Sequence, residues 1–111
     1  MDEVVVERVL RAVELVPEGR VVSYGDLGAL VGITPRHVGV VMRLYGANVA
    51  WWRVTNASGD HVEHLRERAF ARWSDEGIPV KANGLGCRIA DHRADLDALA
   101  ARHEVACRDL G

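Results

Sequence analysis

The sequence predicts a mainly α-helical fold with a short β element, arranged as a winged-helix-like helix-turn-helix domain. Three observations carry this. Two helix starts, at Ser23 and Thr34, lie eleven residues apart, and Gly32 separates them. Apolar residues recur at helical spacing on both sides of that unit. A stretch rich in β-branched and aromatic residues, Val49 to Thr55, follows the second helix and runs into the turn Asn56-Ala57-Ser58-Gly59-Asp60.

The elements follow in order. Residues 2–16 read as an amphipathic helix, because Val6, Val9, Leu10, Val13 and Val16 share one face. Pro17-Glu18-Gly19-Arg20 ends it, and Val21 and Val22 are short and extended. Ser23, with Asp26 three residues on, is the acidic form of a capping box. The helix it opens runs from Tyr24 to Val31 and stops at Gly32. Thr34 is the next cap, with Pro35 at the first helical position, where a missing N–H costs nothing. That helix continues to about Tyr45 and stops at Gly46. The three-residue connection Gly32-Ile33-Thr34 is helix-turn-helix spacing, with Leu27, Leu30, Val31, Val38, Val41 and Met42 on the internal faces. The β element falls around residues 50–62: Val49 to Thr55 reads as a strand or tight loop, and a return strand around His61-Val62 would make a small wing. Leu65, Ala69, Phe70 and Trp73 mark a third long helix closed by Gly77, and residues 78–86 form a loop. Residues 92–105 read as one further helix with Leu96, Leu99 and Ala100 on its apolar side.

A chain of 111 residues with 49% hydrophobic content is one domain with a small core. It has no apolar run of membrane-spanning length, and its acidic start lacks the apolar core of a secretory signal, so a cytoplasmic location is expected. The net charge of −2 and a pI near 6.2 argue against binding through bulk positive charge. The distribution is uneven, however. From Arg20 to Arg53 there are four arginines (20, 36, 43 and 53) and one acid, Asp26, giving a basic stretch on an acidic body. Arg36 and His37 fall in the first turn of the second helix, where recognition residues sit.

Two pieces in combination are more specific than either alone. The first is Ser23-Tyr24-Gly25-Asp26-Leu27 with Arg36-His37-Val38-Gly39, and the second is Ala50-Trp51-Trp52-Arg53-Val54. In this order and separation they resemble the DNA-binding domain of O6-alkylguanine-DNA alkyltransferases, over about residues 4–90, with residues 92–111 as a C-terminal helical extension. The motif there is Pro-Cys-His-Arg-Val, whose cysteine takes the alkyl group from the damaged base. Here Ala50 stands for the proline, Trp51 for the cysteine and Trp52 for the histidine, while Arg53 and Val54 match. Tryptophan in place of the cysteine is the mark of alkyltransferase-like proteins, although the commoner pattern there keeps the histidine.

Chemistry agrees with the resemblance. Alkyl transfer needs a thiolate activated by a neighbouring base. Indole offers one N–H donor and no basic lone pair. Glu76 of Glu76-Gly77 matches the family's glutamate, yet Trp52 cannot relay a proton to it. No catalytic residue is therefore expected. The resemblance implies recognition of O6-alkylguanine in duplex DNA by nucleotide flipping, flagging the lesion for nucleotide excision repair. It assigns Ser23, Tyr24, Arg36, His37 and Gly39 to DNA, with Arg36 filling the gap in the stack and Tyr24 turning the phosphate outward. Tyr24, Trp51, Trp52, Arg53 and Val54 are expected to form the lesion pocket, with Trp52 the better candidate for core packing. Gly39 is expected to allow close packing of its helix.

No cofactor and no metal are expected, and the chain is expected to be monomeric. His61, His64, Cys87 and His92 are zinc-type ligands at unfavourable spacing, and read better as surface histidines. Cys87, beside Arg88, is a candidate for a lowered pKa and hence for a displaced alkyl acceptor. Two other readings stand beside lesion binding: a helix-turn-helix regulator of undamaged DNA, and a residual alkyltransferase using Cys87.

Overall fold

A computed structural model describes residues 2–111. Helix α1 (Glu3–Leu15) is capped by Asp2, whose carboxylate accepts from the N–H of Val4 at 2.8 Å, and it buries Val9, Ala12 and Val13. Strand β1 (Val22–Ser23) leads into α2 (Tyr24–Val31), and α3 (Pro35–Tyr45) follows. The capping box forms as read: Ser23 Oγ accepts from the N–H of Asp26 at 3.0 Å, and Asp26 accepts from the N–H of Ser23 at 2.9 Å. Gly32 closes α2 at φ 86°, a left-handed value that glycine reaches without steric cost. Thr34 Oγ1 accepts from the N–H of His37 at 3.1 Å, which opens α3.

The tight join between α2 and α3 depends on Gly28. A Cβ there would lie 2.5 Å from the carbonyl oxygen of Ile33, so only glycine lets the turn cross the helix this closely. Leu27, Val38 and Val41 are fully buried in the core with α1. Leu30, Val31 and Met42 pack against its margin.

The β element differs from expectation. Residues Trp51–Arg53 form a 3-10 turn, and only Val54–Thr55 (β2) are extended. Strand β2 pairs parallel to β1, with Val22 opposite Val54 and Ser23 opposite Thr55. Parallel pairing follows from connectivity, since the whole helix-turn-helix unit is the crossover between the strands. No hairpin wing forms at His61-Val62. The side chain of Asn56 holds the turn by accepting from the N–H groups of Ser58 and Asp60, both at 2.9 Å. The chain beyond it pairs with the 78–87 loop instead: Asp60 bridges Gly86, and the N–H of His61 donates to the carbonyl of Leu85 at 3.2 Å.

Helix α4 (Glu63–Glu76) ends at Gly77, as read. The single helix expected over 92–105 is two pieces, α5 (Ile89–His92) and α6 (Leu96–Ala106). Val21 causes the break. Its N–H donates to the carbonyl of His92 and its carbonyl accepts from the N–H of Ala94, each at 2.9 Å, which pulls Arg93 into extended pairing. Asp95 then caps α6. Leu99 and Ala94 sit in the same core as α1, and Arg11 of α1 reaches the carbonyl of Ala106 and the carboxylate of Asp109. Residues 92–111 thus pack into the domain. Leu96 is exposed, and His103 takes its place as a buried residue of α6.

Candidate nucleic-acid interface

Helix α3 presents Gly39, Met42 and Arg43 along one face, at the i, i+3, i+4 spacing of a helical stripe, and its cap residue Gly46 continues that line. This stripe is one wall of a cavity of about 480 Å³. Tyr24, Ala47, Trp51, His61, Val62, His64, Leu65 and Arg68 complete its lining. The volume lies within the range of small-ligand sites, roughly 300–1,000 Å³. Arg36 is exposed one turn before Gly39 on the same stripe, outside the cavity but in line with it. His37 is half-buried and does not reach the cavity.

The 3-10 turn decides what Trp51 and Trp52 do. With about three residues per turn, successive side chains diverge by roughly 120°. The two indoles accordingly stand at 85° to each other, with centroids 5.9 Å apart. Trp51 faces the cavity, with the guanidinium of Arg68 5.6 Å from its ring centroid. Trp52 turns away: its Nε1–H donates to Glu76 Oε2 at 2.6 Å, and Arg72 lies 4.6 Å from its ring centroid. Ala50, at φ −73°, holds the backbone value that a proline ring would impose.

The pocket expected from the sequence is therefore narrower than assigned. Tyr24 and Trp51 line the cavity; Trp52, Arg53 and Val54 do not. Val54 is a core residue paired with Val22. Arg53 is spent on Glu76, donating through Nε and Nη2 at 2.9 Å each, while its Nη1 donates to the carbonyl of Val16 at 3.0 Å. Its charge thus does not join the basic face that counting Arg20 to Arg53 suggested.

Glu76 also accepts from the N–H of Gly19 at 2.8 Å, so four donors converge on one carboxylate whose side chain is 5% exposed. Burial alone would raise its pKa; the hydrogen bonds from Arg53, Gly19 and Trp52, with the Arg53 charge, outweigh that and hold it below its ordinary value. It ties the 3-10 turn, α4 and the turn after α1 together, and it has no free lone pair to act as a base.

A second clamp was not visible in the sequence. The carbonyl of Trp52 accepts from Trp73 Nε1–H at 2.8 Å and from His61 Nε2–H at 2.9 Å. Because a carbonyl only accepts, this contact assigns the His61 proton to Nε2. His61 is buried, contrary to its reading as a surface residue, and packs edge-on to Trp51 at 5.8 Å. Desolvation lowers its pKa, against the hydrogen bond to Trp52 and the charge of Asp60. Burial likewise raises the pKa of Tyr24.

Three further assignments change. Ser23 is 4% exposed and its hydroxyl is used in the cap, which removes it from any DNA-facing surface. Nothing lies within 4 Å of a Cβ built at Gly39, so this glycine is not needed for close helix packing; it leaves the cavity wall open. Cys87 is fully buried, and burial raises its pKa, with Lys81 opposing and Asp60 adding to the rise. The lowered pKa expected from Arg88 is absent, and with it the case for an alkyl acceptor there. Cys107 is also buried, and neither of the chain's two thiols lines the cavity. Among the described residues, no three of His, Cys, Asp and Glu come together in a metal-binding group.

Residues missed by sequence reasoning come mostly from the start of α4. His64, Leu65 and Arg68 share one helical face, a spacing present in the sequence but indistinguishable there from a solvated helix surface.

The fold and its cavity define a helix-turn-helix domain whose second helix forms one wall of a small-ligand-sized site. The chain belongs to the 6-O-methylguanine DNA methyltransferase family, whose DNA-binding-domain model matches residues 5–78. Among solved structures it is similar to S. pombe Atl1 in complex with damaged DNA containing O6-carboxymethylguanine, with a TM-score of 0.73 and 24% identity over 86% of this chain and 98% of that one. It is also similar to S. pombe ATL in complex with DNA, with a TM-score of 0.72, 24% identity and the same coverage. These two likenesses establish the fold. No curated protein matches the chain.

Proposed function

We propose that this protein recognises O6-alkylguanine in duplex DNA by receiving the flipped base in the cavity against Trp51, without transferring the alkyl group. The carrying observation is the indole of Trp51 on the wall of a cavity that no thiol lines. A base leaving the stack costs a few kcal/mol, less when it is damaged and poorly paired. Stacking on an aromatic ring returns roughly 1–3 kcal/mol per base. Arg36, exposed on the stripe that leads into the cavity, enters the duplex and fills the gap. Tyr24, at the start of α2, turns the nucleotide's phosphate outward.

Two features support the absence of transfer. Trp52 donates its Nε1–H hydrogen bond to Glu76 and offers no basic nitrogen. Glu76 itself is fully committed to four donors. The bound complex then acts as a flag for nucleotide excision repair proteins, with the protein binding as a monomer.

The experiment is equilibrium binding to matched duplexes that differ in a single O6-methylguanine, followed by analysis of the recovered DNA. The expected outcome is tighter binding to the modified duplex and recovery of the adduct intact. Equal affinities would refute lesion recognition. Conversion of O6-methylguanine to guanine would refute the absence of transfer.

A further inference from the structure

We infer that the cavity selects alkyl adducts that carry a carboxylate, and that Arg68 is the residue that selects them; this rests on the lesion-binding reading above. The cavity wall holds two arginines, Arg43 and Arg68, and a histidine, His64, and no aspartate or glutamate. Met42, Val62 and Leu65 supply an apolar flank. The site is thus cationic on a chain whose net charge is −2.

The placement of Arg68, on the cavity lining beside Trp51, is the decisive detail. Arg11, Arg53, Arg88 and Arg93 each pair with a carboxylate. Among the described residues, Arg68 and Arg43 form no ion pair. Arg68 is instead held over the ring of Trp51. Its guanidinium carbon lies 5.6 Å from the ring centroid, and among the described residues its N–H groups donate to no other group, so they are free to donate to a ligand. Those donors sit on the cavity wall, beside the indole that a flipped base would meet. Guanidinium and carboxylate are both planar, and their paired N–H···O geometry is the strongest form of this interaction.

The charge balance sharpens the argument. A carboxylate on the modified base lies among DNA phosphates and is repelled by them. Because that repulsion is present in the free duplex too, the cost that counts is taking the carboxylate out of water into the cavity, which weakens binding unless a cation pairs with it. Arg68, with Arg43 also on the cavity lining, supplies that pairing. An adduct with a plain methyl group uses only the apolar flank and the ring of Trp51, and gains nothing from the guanidinium.

The test uses three duplexes, carrying guanine, O6-carboxymethylguanine, or its neutral near-isostere O6-carbamoylmethylguanine. With the full-length protein, the carboxymethyl duplex is expected to bind about tenfold more tightly than the carbamoylmethyl duplex, the low end for a charge-assisted hydrogen bond. Arg68→Ala is expected to abolish that preference while both adducts still bind more tightly than guanine. Arg68→Lys, which keeps the charge but loses the planar fork, is expected to keep part of it. Equal binding of the two adducts by the wild type, both above guanine, would overturn charge selection and leave lesion recognition standing. A preference that survives Arg68→Ala would overturn the role of Arg68. If neither adduct binds more tightly than guanine, both readings fall.

Discussion

Replacing Glu76 by glutamine tests whether the Trp52–Arg53 half of the motif is a structural tie or part of the binding site. The carboxylate accepts from Gly19, from Trp52 and twice from Arg53, and its side chain is 5% exposed against 16% for Arg53. A carboxamide of nearly the same shape directs an NH2 group at donors and leaves the Arg53 charge uncompensated. Breaking a buried pair in this way costs about 3–5 kcal/mol. For a domain of 111 residues, with an unfolding entropy of about 2.1 cal/mol/K per residue, that lowers Tm by roughly 13–21 °C. The assay is calorimetric or denaturant unfolding as a function of pH. Folding lowers the pKa of Glu76, so its contribution is present above the unfolded value and is lost as pH falls through the folded one. The gap between wild type and Glu76→Gln should therefore be full at pH 7, begin to narrow as pH falls through the unfolded value of about 4.3, and close only below the lower folded value. Acid destabilisation from His61, buried in its neutral form, occurs in both proteins and cancels in the difference. A loss under about 1 kcal/mol, the value of an exposed pair, or a gap independent of pH, would refute the reasoning.

Three other substitutions address the binding face. Gly39→Ala should raise stability by about 0.5–1 kcal/mol, because alanine is the better helix former and its Cβ meets nothing; it should weaken DNA binding by narrowing the cavity, as parallel unfolding and titration experiments would show. Trp51→Ala should lose preference for alkylated over unmodified duplex more than it loses general affinity, measured by competition between the two. Arg36→Ala should weaken lesion binding without changing stability by more than about 0.5 kcal/mol, since the residue is exposed and unpaired among the described residues; unchanged binding would remove it from the stack-filling role.

Local signals made much of the fold legible. The caps at Ser23 and Thr34, the stops at Gly32 and Gly77 and the helical stripes in α1 and α4 act over a few residues, and all of them form as read. What was not legible depends on partners distant in sequence. The hairpin wing fails because β1, more than thirty residues earlier, takes the pairing edge of β2. The break before α6 is imposed by Val21 from the other end of the chain. At the site, the sequence distinguishes Trp51 and Trp52 from the residues they replace. It does not show which one faces the cavity, because that follows from the 3-10 geometry of the turn. Counting charges along the sequence likewise placed Arg53 on the basic face, when Glu76 binds it inside; Arg68, which does line the cavity, lay outside the stretch counted.

The central claim is that a modified guanine leaves the duplex and lodges against Trp51. Its most direct test is the fluorescence of 2-aminopurine placed next to O6-methylguanine in a duplex, titrated with protein. Flipping removes the fluorophore's stacking neighbour, so emission should rise to saturation with wild type and rise little with Trp51→Ala at equal occupancy. Saturated binding with no rise in emission would contradict the account.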